Sequence, residues 1–337
     1  MKVKFLPYQP HCFAFGGFEV QTLSTLQAVQ KSGINASKLD VWDRDSSYDI
    51  LNCWGLGIAN YENVYWANRS GKKVVISALF PYYETLFEKA KFLASAAIYK
   101  VKLMREMARL ADHVIVVNDV QAEVCQRYFS VPPSRISIAP NVVKNEFFAA
   151  SGKTDRPNQF TARYNVADFI LTTGNVCQRK NQLNLAKACI ETGTPLVIIG
   201  KVLDGETKYS QQLEQLIEKS SNVKWIRGLE PGSDELIDAY RACSAFALPS
   251  FEEQQPISLL EAAAMQKPLL IADRAYAYQK YYANALKVDP GSVTSLKAGL
   301  QELKAQRESY IPPFEVVQDC LEVNVGNAYK TVYEQLM

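Results

Sequence analysis

The chain is short of the side chains that mark many enzyme classes. It has two histidines, His11 and His113, and its seven cysteines (12, 53, 125, 177, 189, 243 and 320) are scattered and never form Cys-x-x-Cys. An odd, dispersed set excludes a disulfide framework and a cysteine zinc site, and suits a reducing, cytoplasmic setting. No run of 18 apolar residues occurs, so no membrane-spanning helix is expected. The opening MKVKFLPYQPHCFAFGG breaks its apolar run at Pro7, Pro10 and His11 and is not expected to act as a signal peptide. An excess of one charge is missing too. Lys plus Arg number 37 against 35 Asp plus Glu, a net charge of +2, and no field favours a nucleic-acid partner. The fingerprint Gly-x-Gly-x-x-Gly is absent, which tells against a dehydrogenase.

What remains is a folded α/β chain. At 337 residues and 48% hydrophobic content it suits two domains of roughly 150 residues each. Apolar runs begin at Val3, Asp49, Val74, His113, Phe169, Pro195, Ala245 and Pro268, and read as strands buried on both faces because their hydrophobicity is continuous. Helical patterns cover Glu19 to Gln30, Thr85 to Leu110, Gln182 to Thr192, Ser210 to Ser220 and Ser233 to Cys243. Such alternation implies parallel sheets built from right-handed crossovers. The stretch 147–168 is polar, carries Gly152 and Pro157, and has a linker's composition. Domains are therefore expected at 1–160 and 161–319, with ligand at the carboxyl ends of the strands, in the crevice between the two.

Three segments carry the chemistry. The first, LPSFEEQQPISLLEAAAMQKPLLIAD from Leu248 to Asp273, reads as strand, polar turn, helix and strand, with Pro256 suited to the first helical position. Free N–H groups at Ile257 and Ser258 and the helix dipole suit a phosphate, and Glu253 and Glu261 are acceptors for hydroxyls. Acidic residues are also common before a helix start with no ligand at all. The second segment, GNVCQRKNQLNLAKAC from Gly174, puts Arg179 and Lys180 at a helix N-terminus, an unfavourable place for cations unless an anion binds there. The third places Gly16 and Gly17 before a helix, where backbone can approach a ligand or simply turn.

Taken in order along the chain, these segments resemble glycosyltransferase family 4, the retaining group 1 type. The family's Pro-Ser, Glu, seven residues, Glu-Ala appears as Pro249, Ser250, Glu253, Glu261 and Ala262. Its Gly-Gly loop followed by Glu appears as Gly16, Gly17 and Glu19, and its Lys-Asn as Lys180 and Asn181. The resemblance implies two Rossmann-like domains with parallel sheets facing a central cleft, the glycosyltransferase B-type fold. It also implies a closing helix at about 320–337 that packs back onto the first domain. By resemblance Glu253 meets donor-sugar hydroxyls and Glu261 the ribose. Lys180, Arg179, Ile257 and Ser258 would meet the diphosphate, Arg227 and Gly228 the nucleotide base, and Gly16 and Gly17 the donor from the opposite domain.

The departures are specific. Asn175 stands where the family has an Arg, and Arg179 is expected to supply that charge. Gln254, Gln255 and Pro256 replace Gly-aromatic-Gly, so the donor sugar does not transfer. The family's His after the fourth strand is missing, leaving Ser77 and Tyr82-Tyr83-Glu84, with His11 near the Gly pair and His113 starting a strand. No cluster has metal-ligand spacing beside a strand, since Asp43-Arg44-Asp45 sits in a turn, and neither metal nor other cofactor is expected. The basic, apolar stretch Thr85 to Leu110 suits either an ordinary packed helix or peripheral contact with an anionic membrane.

The implied activity is metal-independent, retaining transfer of a hexose from a nucleoside diphosphate sugar to a glycan or lipid-linked acceptor, in cell-surface polysaccharide or lipopolysaccharide synthesis. A catalytically weak nucleotide-sugar-binding subunit of the same fold is the alternative. An epimerase is disfavoured by the scarcity of acid and base residues.

Overall fold

A computed structural model describes residues 1–12, 16–80, 82, 85–95, 98–151 and 158–337. The chain forms two compact units, Met1–Val142 with Asp319–Met337, and Val143–Gln318. Each is built on a six-stranded sheet whose strand pairs are all parallel. The first unit holds β1 (Lys2–Leu6), β2 (Asn35–Lys38), β3 (Ile50–Trp54), β4 (Lys73–Ser77), β5 (His113–Val116) and β6 (Ile136–Ile138), in the order β2-β1-β3-β4-β5-β6. The second holds β7 (Ile170–Thr173), β8 (Leu196–Ile199), β9 (Val223–Ile226), β10 (Ala245–Leu248), β11 (Leu269–Ala272) and β12 (Leu286–Val288), in the order β12-β11-β10-β7-β8-β9. Both are doubly wound, with strand order reversing between β1 and β3 in one and between β7 and β10 in the other.

The expected interior strands are present, and the physical reason is their burial on both faces: every residue of β5, β7, β8, β10 and β11 is buried. The strands without a long apolar run, β2, β6, β9 and β12, are the four edges. An edge strand has one paired neighbour and more solvent, so its sequence is freer.

Three readings change. The stretch Thr85 to Leu110 is two helices, Leu86–Ala94 and Tyr99–Leu110, with Ile98 extended between them and its N–H donating to Ser95 O (2.8 Å). The break lets Phe92, Val101 and Met107 reach one hydrophobic core, which a straight helix spanning about 1.5 Å per residue would carry apart. The stretch 147–168 is not simply linker. Phe147 and Phe160 are buried on the helices Asn145–Ala150 and Phe160–Tyr164, against Tyr240 (5.4 Å between ring centroids) and Phe169 (5.8 Å) respectively. The expected boundary at 160/161 thus falls inside the second unit, while Gly152 and Pro157 lie outside the described residues. Pro256 takes the cap position and the helix runs Ile257–Ala264. Proline's fixed φ of −68° serves either place.

The helix Glu322–Gln335 belongs to the first unit and packs on the helix Gly17–Lys31. Gly326 makes the close approach possible, because a Cβ there would overlap the Ala28 carbonyl. Tyr329 stacks on Trp54 (6.2 Å, 7°). Its hydroxyl bonds Ser77 Oγ (3.0 Å), Asn52 Nδ2 donates to Ser77 Oγ (3.1 Å), and Tyr333 OH donates to Asn52 Oδ1 (3.1 Å). Ser77 is therefore spent on fastening this helix to the sheet. Tyr82 OH accepts from Asn118 (3.1 Å), and Tyr83 and Glu84 lie outside the described residues. His113 is buried beside Ser137 (2.9 Å), with burial and then Arg135 lowering its pKa, and its role is structural. Among the described residues no helix is long and apolar enough to cross a membrane.

Candidate functional site

In the second unit the strand order reverses between β7 and β10, so the segments leaving their carboxyl ends emerge side by side. Arg179 and Lys180 come from the segment after β7, and Glu253 from the segment after β10. Their tips meet: Lys180 Nζ lies 2.6 Å and Arg179 Nη1 2.8 Å from Glu253 Oε1. Arg179 also donates to Glu252 O (2.6 Å), and Phe251 N–H donates to Arg179 O (2.9 Å), which ties the two segments together. Lys180 and Glu253 retain side-chain exposures of only 11% and 8%, so their attraction is poorly screened. The cluster carries two positive charges against one negative.

The backbone explains how these side chains are held. Asn181 adopts a left-handed conformation (φ 63°) that starts the helix Gln182–Thr192, and its Nδ2 donates to Pro249 O (3.0 Å) and Pro290 O (2.8 Å). Gln182 Nε2 donates to Asn175 O (3.0 Å), closing the same segment on itself. At Gly200, the residue after β8, any Cβ would overlap the Gly174 carbonyl, so the segment that carries Lys180 depends on a glycine at the end of the neighbouring strand.

The segment after β10 is held from β11. Tyr276 OH donates to Leu248 O (3.0 Å), Gln255 Nε2 donates to Gln279 Oε1 (3.1 Å), and Gln279 Nε2 donates to Gln254 O (2.5 Å). Gln255 and Gln279 are buried, and their mutual bond with the Gln254 carbonyl contact braces the turn ahead of Ile257. No side chain caps the helix Ile257–Ala264, and the N–H groups of Ile257 and Ser258 precede its first intrahelical bonds, made by Leu259 and Leu260 to Pro256 O.

Glu261 sits in a different setting. Its Oε2 accepts from Tyr240 OH (2.8 Å), which in turn contacts Thr173 Oγ1 (2.8 Å) at the end of β7. Tyr240 is fully buried and stacked on Phe246 (5.4 Å, 12°). Burial pushes the Glu261 carboxyl up to about 7, with the Tyr240 hydrogen bond and the Lys144 charge drawing it partly back. Burial, followed by the Glu261 charge, raises the Tyr240 phenol well above its ordinary value.

Other expected site residues are carried by other segments. Arg227 follows edge strand β9, pairs with Glu214 (2.5 Å) and lies over the Trp225 ring (3.6 Å to centroid); Gly228 has φ +113°. Gly16 and Gly17 belong to the first unit: Gly16 caps the helix Gly17–Lys31, and its N–H donates to Glu19 Oε2 (2.8 Å). Glu19 also accepts from Gln9 (3.0 Å), so its carboxylate completes a helix start. Tyr240, Thr173, Gln279 and Gly200 carry no motif. Only Gly200, ending the run PLVIIG, had a visible signal.

Residues 157–311, all within the second unit, match the family model described as Glycosyl transferases group 1. The match covers somewhat less than half of the chain and lies in the unit that carries Lys180 and Glu253. A curated relative, the UDP-Gal:alpha-D-GlcNAc-diphosphoundecaprenol alpha-1,3-galactosyltransferase of Escherichia coli, is 27% identical over 199 residues, covering 56% of this chain and 49% of that protein. The chain thus spans about half the length of the curated relative it matches. Among solved structures, HepE of Anabaena in complex with UDP aligns over 100% of this chain and 99% of its own at TM-score 0.73 and 14% identity. Sucrose-phosphate synthase of Thermosynechococcus elongatus aligns over 99% and 98% at TM-score 0.74 and 14% identity. At those identities the likeness establishes the fold alone, two Rossmann-like units.

Proposed function

We propose that the chain transfers a hexose from a uridine diphosphate sugar to a hydroxyl of a glycan or lipid-linked acceptor, with retention of anomeric configuration and without a metal. The observation that carries this reading is the convergence of Lys180, Arg179 and Glu253 where strand order reverses, with the uncapped helix start at Ile257 following on the same segment as Glu253. Two cations and free N–H groups suit a diphosphate, and they stabilise it most as it departs with growing negative charge. Glu253, already oriented by its two cations, would take donor-sugar hydroxyls, and Glu261 the ribose. Arg179 fills the electrostatic place left by Asn175. Uridine is proposed because the E. coli relative uses UDP-Gal and HepE was solved with UDP.

In the reaction the bond between sugar C1 and the diphosphate oxygen breaks while the acceptor oxygen bonds C1 on the same face. The acceptor proton passes to a diphosphate oxygen, so no side-chain base is required. The test is incubation of the chain with UDP-galactose and UDP-glucose and a diphospholipid-linked N-acetylglucosamine acceptor, with and without EDTA, followed by NMR of the product. Transfer that survives EDTA and keeps the donor's anomeric configuration is expected. An inverted product refutes the same-face step, and binding without transfer identifies a nucleotide-sugar-binding subunit instead.

A further inference from the structure

Tyr240 lies on the helix Asp234–Ala242 and is fully buried. Its ring stacks on Phe246 (5.4 Å, 12°) and meets Phe147 edge-on (5.4 Å, 89°), packing that a phenylalanine would reproduce. The hydroxyl needs another explanation. Taking a phenolic O–H out of water is costly unless partners replace the water. Three oxygens do so: Glu261 Oε2 at 2.8 Å, Thr173 Oγ1 at 2.8 Å and Ser258 O at 3.2 Å.

These partners come from the two segments that build the site. Thr173 ends β7, the strand that leads to Lys180, while Ser258 and Glu261 lie on the helix Ile257–Ala264, which follows Glu253. Tyr240 has one hydrogen to give. With the Thr173 hydroxyl donating to it, that hydrogen is directed at Glu261 Oε2, because a carboxylate is a stronger acceptor than a backbone carbonyl. Glu261 itself is only partly buried, and no other hydrogen bond or ion pair reaches its carboxylate among the described residues. One oxygen is pinned and the other keeps its acceptor capacity. Burial raises the carboxyl's pKa, while the Tyr240 hydrogen bond and then the charge of Lys144, which caps the helix Asn145–Ala150, favour the ionised form.

We infer that Tyr240 is a positioning residue: through the chain Thr173–Tyr240–Glu261 it holds Oε2, presents Oε1 to a ribose hydroxyl, and so sets the site's preference for ribonucleotides. The inference rests on the reading of Glu261 as the ribose acceptor, and adds the residue that makes this carboxylate selective. An untethered carboxylate turns about its side-chain bonds and loses that freedom when it binds, whereas one held at Oε2 has already lost it.

The test is calorimetric titration of the full chain with UDP and with dideoxyuridine diphosphate, which lacks both ribose hydroxyls. The parent is expected to favour UDP by at least about tenfold, the yield of one hydrogen bond to a charged group. Tyr240→Phe keeps the ring packing, and its preference for UDP is expected to fall to within about threefold while its affinity for the dideoxy nucleotide is unchanged. Equal weakening of both nucleotides would mark a packing defect and overturn the inference. The pH profile gives a second readout. Without the Tyr240 hydrogen bond the ionised carboxylate is less favoured, so the rise of UDP affinity with pH moves to higher pH in Tyr240→Phe. Thr173→Val reports from the far end of the chain and is expected to lose at least about threefold of the preference, whereas Thr173→Ser retains it. A parent that binds the two nucleotides equally sinks the ribose reading of Glu261, and this inference with it. A parent that discriminates, beside Tyr240→Phe and Thr173→Val variants that discriminate as well, overturns the role of Tyr240 and leaves that reading standing.

Discussion

The two units share an architecture and spend their buried polar groups differently. In the first, Asn52, Ser77, Tyr329 and Tyr333 are linked by neutral hydrogen bonds that fasten the C-terminal helix to the sheet. In the second, ionisable groups gather at the carboxyl ends of β7 and β10: nearly buried Lys180 and exposed Arg179 on buried Glu253, and the buried Tyr240 phenol on Glu261. Neutral networks hold elements in place at low electrostatic cost, whereas partly desolvated ions are costly and are retained where a charged ligand repays them. The same doubly wound sheet therefore supports a neutral polar network in one unit and a charged cluster in the other.

The largest test of that contrast is Lys180→Ala. Loss of about 2 to 3 kcal/mol of transition-state binding, roughly 30- to 150-fold in kcat/KM, is expected with UDP-sugar as donor. A change below about threefold would remove Lys180 from the site and erase the contrast. Next comes Gly326→Ala in the first unit, where the added Cβ meets the Ala28 carbonyl. Overpacking is expected to cost about 2 kcal/mol in denaturant unfolding. Unchanged stability would mean the C-terminal helix is not held as closely as Gly326 suggests.

The third concerns pH. The Glu261 carboxyl, raised by burial to about 7, is mostly protonated at pH 6 and mostly ionised at pH 8. If the carboxylate receives ribose hydroxyls, affinity for a nucleoside diphosphate sugar rises about tenfold across that interval, and Glu261→Gln flattens the profile. The stability effect runs the other way. Because the folded pKa lies above the unfolded one, the folded state holds more protons between them, so unfolding free energy falls as pH rises from about 4.5 towards 7. A flat affinity profile in the parent would place the ribose elsewhere. The smallest effect is expected from Tyr333→Phe, which removes one neutral hydrogen bond and about 1 kcal/mol of stability. It should leave kcat/KM within about twofold, and a larger catalytic loss would mean the first unit's network is not merely structural.

Much of this was legible beforehand, and unevenly. Interior strands such as AFAL and LVII are apolar throughout because both faces are covered, so they announce themselves. Edge strands such as NASK do not, since solvent on one side relaxes the pattern. Lys180, Glu253 and Glu261 stood out through spacing at helix starts. Their supports did not: Tyr240 looks like any residue of an amphipathic helix, and Gln279 lies in an aromatic run with no motif. The single helix expected over Thr85 to Leu110 failed because periodicity records which residues are apolar, not whether one straight axis can bring them to one core.

By itself the amino-acid order determined the fold class and the residue types at the candidate site, because burial period, turn composition and helix-start chemistry are local properties. Resemblance put Glu253, Lys180 and Arg179 at one donor site, but no local pattern set the carboxylate directly against cations more than seventy positions away. That pairing was decided by strand order. β7 and β10 lie side by side only because the chain reverses its winding there, and the charges meet because their segments leave adjacent strands at the same end.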